Sequence, residues 1–217
     1  MQSVIKTDQQ RDIKEEIMMM NDLKKEEIRK EIESFRMPLY SEIPNVGLYL
    51  EQVSKYITDC FSPLSDAVFT GSMISNYVKK KLIVNPVKKQ YGREQIAYLI
   101  FIAVAKSALS IEEIRYLIEL KKKTYDTETA YSYFCTEFER TLKNIFGNEG
   151  CDDTGSAEEP ETHKETETEM HGDPEDEMHG NPEAETEKKI MRSILIIYCR
   201  KVYLSKMIGI YREDDDK

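Results

Sequence analysis

Lysines dominate one segment of the chain, residues 70–93. The segment reads T-G-S-M-I-S-N-Y-V-K-K-K-L-I-V-N-P-V-K-K-Q-Y-G-R and contains no aspartate or glutamate. Its six cations are unexpected in a chain whose formal net charge is -10. Ammonium and guanidinium groups contact phosphates, whereas Ser and Asn side chains can exchange hydrogen bonds with base edges. The segment therefore predicts binding to a polyanion, and double-stranded DNA is the first candidate.

A helix must position the first half of this segment. Thr70 is placed to cap a helix that begins at Gly71. Apolar residues recur at spacings of three and four and predict an inward stripe: Met73, Ile74, Tyr77, Val78 and Leu82. Polar residues are left on the other face. A lone lysine run is also typical of a solvated helix face, so the run alone does not establish DNA binding.

The second half of the segment leads into an apolar helix. Asn85 and Pro86 predict a turn over residues 84–90, and the helix that follows, from Gln95 to Ser107, is apolar on nearly every side. Such a helix belongs at the centre of a core. Ser110 and Glu113 then form a capping-box pattern for the next helix.

The predicted DNA contacts combine the polar face of the first helix with the basic turn. In this interpretation the helix from Thr70 to Lys81 enters the major groove, and the turn holds the adjacent backbone. The residues assigned to these contacts are Thr70, Ser72, Ser75, Asn76, Tyr77, Lys79, Lys80, Lys81, Lys88, Lys89, Tyr91 and Arg93.

Three stretches in this order resemble the DNA-binding domain of MerR-type winged helix-turn-helix regulators: T-G-S-M-I-S-N-Y-V-K-K-K-L-I, K-K-Q-Y-G-R-E-Q-I-A-Y-L-I-F-I and S-A-L-S-I-E-E-I-R-Y-L-I-E-L. In that family a capped recognition helix with a central Tyr ends in a Leu-Leu pair, a wing ends in Arg-x-Tyr, and a later Ser opens a helix with Glu-Glu-Ile. The matching residues are Thr70, Tyr77, Leu82 with Ile83, Lys89 with Tyr91, and Ser110 with Glu112, Glu113 and Ile114.

The chain departs from that family at the contacts themselves. The family's phosphate-binding arginines correspond to Ser72 and Ser75, the linker over residues 60–69 is longer, and the wing around Val87 is shorter. A reduced wing predicts fewer backbone contacts and weak binding by a single copy, so a dimer that reads two half-sites is expected.

A closer resemblance is to an uncharacterised bacterial family of unknown function, found mostly in low-GC Gram-positive bacteria. Its opening is similar to F-R-M-P-L-Y-S-E-I-P-N-V-G-L-Y-L-E-Q-V, here Phe35 to Val53, and the resemblance extends to about Leu120. It implies a fold and brings no established function.

The rest of the chain predicts an all-α protein in four parts. Residues 1–34 form a long charged helix, and residues 35–124 form the helix-turn-helix domain, in which Asn45 caps a helix that ends near Cys60. Residues 125–146 and 188–211 form a C-terminal helical hairpin whose helices pair antiparallel. By analogy with MerR-type proteins this hairpin is also the candidate homodimer surface.

Residues 147–187 form an acidic insertion between the two hairpin helices. Its sixteen carboxylates and single Lys164 contribute -15, so the rest of the chain carries +5. It has too few large apolar residues to fold alone. A repeated E-M-H-G motif spaces His171 and His179 by eight residues, with His163 upstream, and without fixed geometry a metal site is less favoured than a solvating linker. A third hypothesis is that the insertion mimics DNA and competes for the basic segment.

Several classes of function are disfavoured by the sequence. Outside the insertion the chain has no histidine, no nucleophile–base set, no phosphate-cradling glycine loop and no metal-spaced cluster, so we expect no enzyme and no cofactor. Cys60, Cys135, Cys151 and Cys199 lack the spacing of a zinc or redox pair. The longest apolar runs are too short to span a bilayer, and no secretory signal is recognised, which predicts a cytoplasmic protein without a membrane partner. The alternative function is a helical protein–protein interaction module with a degenerate helix-turn-helix and no DNA binding.

Overall fold

The computed structural model describes residues 2–65, 68–147 and 182–215. Within these residues the protein is helical, which confirms the all-α prediction, and the only strands form one short antiparallel pair. The elements in chain order are α1 (Gln2–Ser34), a 3-10 turn (Tyr40–Glu42), β1 (Leu48–Tyr49), α2 (Leu50–Phe61), α3 (Gly71–Lys79), β2 (Gln90–Tyr91), α4 (Arg93–Ala105), α5 (Ile111–Thr124), α6 (Thr127–Gly147) and α7 (Pro182–Asp215).

Helix α4 lies at the centre of the core, as its composition predicts. Ile96, Leu99, Ile100 and Ile102 are fully buried, and ten of the thirteen residues of the helix are buried. Helices α2, α6 and α7 pack around it. Because α4 is enclosed on all sides, it fixes the positions of the shorter elements around it.

Helix α1 packs with α6 and α7 in a layer beside this centre. An aromatic cluster joins the helices around Phe138, whose ring centroid lies 5.9 Å from that of Phe35, 6.2 Å from Phe61 and 5.6 Å from Tyr198. Lys206 Nζ lies 3.0 Å from Glu31 Oε2 and ties α7 to α1. The predicted long N-terminal helix is confirmed.

Helices α6 and α7 form the predicted pair, but they run parallel, so the antiparallel prediction is wrong. Four contacts proceed in the same direction along both helices: Lys188 with Tyr133, Arg192 with Glu137, Tyr198 with Phe138, and Tyr203 with Phe146. The two helices are separated by 34 residues in the sequence, so adjacency in the chain did not determine their relative direction.

Two predicted helix starts are also corrected. Helix α7 begins at Pro182 and not at Lys188, because proline suits the first position of a helix and the positive end of the helix dipole accommodates the Glu185 carboxylate. Asn45 does not cap α2, which begins at Leu50 after the two residues of β1. At the N-terminus of α2 the Tyr49 N–H instead donates a hydrogen bond to the side chain of Gln52, at 2.9 Å from its Oε1.

Some predictions fall on parts of the chain that the structure does not describe. The E-M-H-G repeat, the three histidines, the charge-mimic hypothesis and Cys151 lie outside the described residues. Cys135 and Cys199 are buried and free, and burial raises the pKa of each thiol to about 12, which makes them structural. No helix in the described ranges has an apolar stretch long enough to cross a membrane.

Candidate nucleic-acid interface

The N-terminus of α3 is held by its predicted cap. Thr70 has extended backbone angles, and its Oγ1 accepts the Met73 N–H at 3.3 Å and lies 2.9 Å from Ser72 Oγ. Capping of this kind contributes about 1 kcal/mol to helix stability. The first turn of α3 is therefore fixed, although the helix has only nine residues.

The two faces of α3 separate as the sequence predicts except at Met73, which was predicted to face inward and is 37% exposed. Ile74 is fully buried, and the Tyr77 ring, 6% exposed, stacks on Phe69 at 5.9 Å between centroids. The opposite face is exposed and carries Ser72, Ser75, Asn76 and Lys79. Because the core holds the inner face, hydroxyl, amide and ammonium groups project from one rigid helix.

The C-terminus of α3 ends in a Schellman motif with a lysine where glycine is usual. Lys81 has a φ of 59°, its N–H donates to the Val78 carbonyl at 2.9 Å, and the Leu82 N–H donates to the Tyr77 carbonyl at 2.9 Å. Arg115 of α5 adds a third bond, because its Nη2 donates to the Lys80 carbonyl at 2.7 Å. The end of the helix is thus tied to the neighbouring helix, with the side chains of Lys80 and Lys81 exposed.

The basic turn after α3 is a two-residue hairpin centred on Lys88 and Lys89. The Val87 and Gln90 backbones exchange both hydrogen bonds, at 2.9 and 3.1 Å, and the two central residues have φ values of 50° and 66°. Positive φ at both positions defines a type I′ turn, for which Asn-Gly is the usual sequence. The turn places two adjacent lysine side chains, both exposed, at the tip of the hairpin.

The two-stranded sheet attaches this hairpin to the rest of the domain. Leu48 of β1 pairs with Tyr91, and Tyr49 pairs with Gln90. Gly47, just before β1, has no room for a side chain, because an added Cβ would lie 2.7 Å from the Gln90 Cβ. The glycine therefore permits the close approach that seats the basic turn against the start of α2.

Three non-glycine residues have positive φ in the described part of the chain, and all three are lysines of the basic segment: Lys81, Lys88 and Lys89. A left-handed conformation costs a side-chain-bearing residue about 1–2 kcal/mol. Glycine or asparagine would reduce that cost at each position. Strain of this kind concentrates at functional sites, where the side chain is required despite its backbone.

The electrostatics of this surface are those of an uncompensated positive patch. Among the described residues, no carboxylate pairs with Lys79, Lys80, Lys81, Lys88 or Lys89. By contrast, Lys55 of α2 pairs with Asp59 at 2.9 Å. We call the five unpaired lysines, together with Ser72, Ser75 and Asn76, the basic face.

A sixth lysine near this surface comes from α4's C-terminus and was not among the predicted residues. Lys106 Nζ lies 4.9 Å from the centroid of the Phe69 ring and 3.9 Å from Met73 Sδ. Partial burial lowers its pKa, and repulsion from Lys201 adds to that lowering. Nothing in its local sequence separates Lys106 from other surface lysines, since only the packing of α4 against α3 brings it here.

Three of the residues predicted to contact DNA are held within the fold instead. Tyr77 is packed on Phe69, and Tyr91 is 5% exposed beneath the hairpin. Arg93 is engaged in the fold: its Nε and Nη2 donate to the Ile43 and Ser41 carbonyls at 2.8 and 3.0 Å, and its guanidinium lies 5.5 Å over the Tyr40 ring. We therefore leave these three residues out of the basic face. Thr70 serves as the helix cap, with its hydroxyl occupied at the rim of that face.

The part of the chain that carries the basic face matches the model of a known domain family. Residues 38–134 match the model of a domain of unknown function, DUF1836. The match runs from the connector after α1 into α6 and includes α2, α3, the hairpin, α4 and α5, so the whole basic face lies inside it. No curated protein and no solved structure matches the chain significantly.

Proposed function

We propose that the protein is a DNA-binding transcriptional regulator that lays α3 into the major groove and sets the Lys88–Lys89 turn on the adjacent phosphates. In this arrangement α2 and α3 act as a helix-turn-helix, and the hairpin acts as a reduced wing of the MerR type. Ser72, Ser75 and Asn76 face the base edges, while the lysines neutralise backbone charge.

One observation carries the proposal, the strained and unpaired state of the basic-face lysines. Three of the five lysines hold a left-handed backbone that glycine or asparagine would adopt more easily, and none has a carboxylate partner within the described residues. A solvated helix face requires neither property. A dense anion such as the phosphate backbone supplies the missing counter-charge for all five lysines at once.

A row of exposed apolar side chains on α7 supports the same proposal. Four apolar side chains of α7 are 48–58% exposed and follow a seven, four, three spacing: Ile197, Leu204, Ile208 and Tyr211. This spacing matches a coiled-coil seam, and a second copy of α7 is the partner that offers the same seam in return. A dimer would place two copies of α3 on two half-sites and strengthen binding by a reduced wing.

The proposal is tested by selecting DNA fragments from a genomic library with the full-length protein and measuring affinity at several salt concentrations. Five lysine–phosphate contacts predict a slope of log K against log salt of about -4 to -5 for each protomer. A selected motif whose two half-sites are centred about one helical turn apart would support groove reading by a dimer.

The alternative, a protein-interaction module without DNA binding, makes the opposite prediction. It is favoured by the serines at Ser72 and Ser75, which stand where MerR-type regulators place phosphate-binding arginines. If no fragment is enriched and affinity for bulk DNA is undetectable at low salt, the interaction module replaces the regulator.

A further inference from the structure

A cavity lies between α4, α5, α6 and the first turns of α7, on a different part of the molecule from the basic face. Its volume is about 100 Å³, and its walls are mostly apolar: Phe101, Leu117, Ala130, Phe134, Met191 and Ile194 are among the lining residues. A dry apolar cavity of about 150 Å³ is enough to hold a benzene ring. This cavity is smaller, so a single six-membered ring is the upper limit for an apolar body inside it.

Two buried polar groups lie in the wall of this cavity: a lysine without a carboxylate partner and a tyrosine hydroxyl without a hydrogen-bond partner among the described residues. Lys188 is 6% exposed, its Nζ lies 5.8 Å from the centroid of the Tyr133 ring, and no carboxylate in the described part of the chain pairs with it. Tyr133 is 8% exposed, and its buried hydroxyl has no hydrogen-bond partner among the described residues. A buried donor without an acceptor is costly, so an acceptor supplied by a ligand would be strongly stabilised here.

The nearby charges leave Lys188 available. Glu137, the carboxylate closest to Tyr133 along α6, is already paired with Arg192 at 2.9 Å and with Arg140 at 2.7 Å. Glu187 also lines the cavity, and its Oε1 accepts the Thr124 hydroxyl at 3.0 Å. Both carboxylates thus have other partners.

The far side of the cavity adds a second cation and two hydroxyls. Lys121 Nζ lies 3.2 Å from Thr127 Oγ1 and 3.4 Å from the Tyr98 hydroxyl. Burial lowers the pKa of Lys121, although Glu94 and Asp126 oppose this shift. The polar groups in the wall are therefore mainly donors, which fits an acceptor-bearing ligand better than a cationic one.

We propose that this cavity is a binding site for a small carboxylic acid with an apolar body no larger than a benzene ring. The body occupies the space among Phe101, Phe134 and Ile194, and the carboxylate pairs with Lys188 Nζ, with the Tyr133 hydroxyl as a second donor. The site stands independently of DNA binding, because it is built from α4 to α7 and shares no residue with the basic face.

The direct test is titration of the full-length protein with sodium benzoate, benzyl alcohol and benzylamine, which share one ring and differ in charge. We expect benzoate to bind with a dissociation constant of about 1 mM or below, given the affinity that nine non-hydrogen atoms can supply. Benzoate should bind about tenfold more tightly than benzylamine. Absence of saturation by benzoate up to about 10 mM, or equal binding of benzylamine, would overturn the proposal.

Variants locate the site. Lys188→Met should weaken benzoate about tenfold and leave benzyl alcohol unchanged, whereas Lys189→Met, which changes an exposed lysine of the same helix turn, should leave both unchanged. Intermolecular NOEs from the benzoate ring to the methyl groups of Leu117 and Ile194 in the wild-type protein provide a readout that does not depend on a variant folding. NOEs confined to other methyl groups would rule out this cavity.

Discussion

Lys88 and Lys89 occupy backbone positions that favour Asn and Gly, and the side chains of both are exposed. A natural I′ hairpin gains stability from Asn-Gly, because neither residue is strained at positive φ. This turn lacks that stabilisation and presents two ammonium groups at its tip. Lys81 is also a lysine with a positive φ, at a Schellman position where glycine is favoured.

At the residue scale, the double variant Lys88→Asn with Lys89→Gly should separate stability from binding. Relief of two left-handed residues should raise the free energy of unfolding by about 1–2 kcal/mol. Loss of two phosphate contacts should lower DNA affinity about ten- to a hundredfold and reduce the salt slope by about 2. Chemical denaturation and fluorescence anisotropy measure the two effects.

The matched control is Lys88→Gln with Lys89→Gln, which removes the same charges and keeps the strain. It should weaken DNA binding to the same extent without gain in stability. If the Asn-Gly variant binds DNA as tightly as wild type, the turn has no role in binding and its lysines are strained for another reason.

At the element scale, a buried carboxylate lies between the parallel helices α6 and α7. The Glu137 side chain is 3% exposed and accepts from both Arg192 of α7 and Arg140 of its own helix. Glu137→Ala should lower the free energy of unfolding by about 2 kcal/mol, because two half-exposed guanidiniums then lose their shared acceptor.

Thermal or urea unfolding checks the Glu137 prediction. Glu119→Ala, at an exposed position of α5, is the control and should change stability by less than about 0.5 kcal/mol. An equal effect from the two substitutions would show that the Glu137 pairing does not hold α7 in place.

The features that the sequence predicted are those fixed by local chemistry. The Thr70 cap, the Ser110–Glu113 capping box and the all-round burial of α4 follow from residues within a few positions of one another, and each is present. The direction of α7 and the strand at Leu48 depend on partners more than 30 residues away in the chain, so no local pattern specified them. For the same reason the sequence could place lysines on the outer face of α3 but could not show that Arg93 is held by Ile43 and Ser41.

The basic face also combines features that the local sequence determines with features that only tertiary packing determines. Exposure of Ser72, Ser75, Asn76 and the lysines, and the inward position of Tyr77, followed from helical periodicity. Burial of Tyr91 required knowing how the hairpin pairs with β1. Aromatic residues in a basic segment suit both core packing and base contact, and here the core holds both. Lys106 reached this surface through tertiary packing alone.

At the scale of the whole molecule, the exposed seam of α7 predicts a homodimer. Leu204→Lys with Ile208→Lys should convert the dimer to a monomer, because four charges buried at one interface cost more than the apolar contact contributes. Light scattering after size-exclusion chromatography measures the mass of each form. Tyr116→Lys, at an exposed apolar position of α5, is the control and should stay dimeric. A wild-type protein that remains a monomer at about 100 µM would contradict dimerisation through the α7 seam.

The central claim, that the basic face binds DNA, is tested most directly by reversing charge on two different surfaces of the same protein. One variant changes Lys79, Lys80 and Lys81 to Glu, and the other changes Lys122, Lys123 and Lys189, which are equally exposed on α5 and α7. Both variants lower the net charge of the protein by the same amount. Any non-specific effect of net charge on DNA affinity is therefore the same in the two variants.

If the basic face binds DNA, the first variant loses DNA binding by more than about a hundredfold at low salt while its unfolding midpoint stays near that of wild type, and the second retains most of its affinity. Equal losses in the two variants, or unchanged binding in the first, would remove the basic face as the DNA-binding surface.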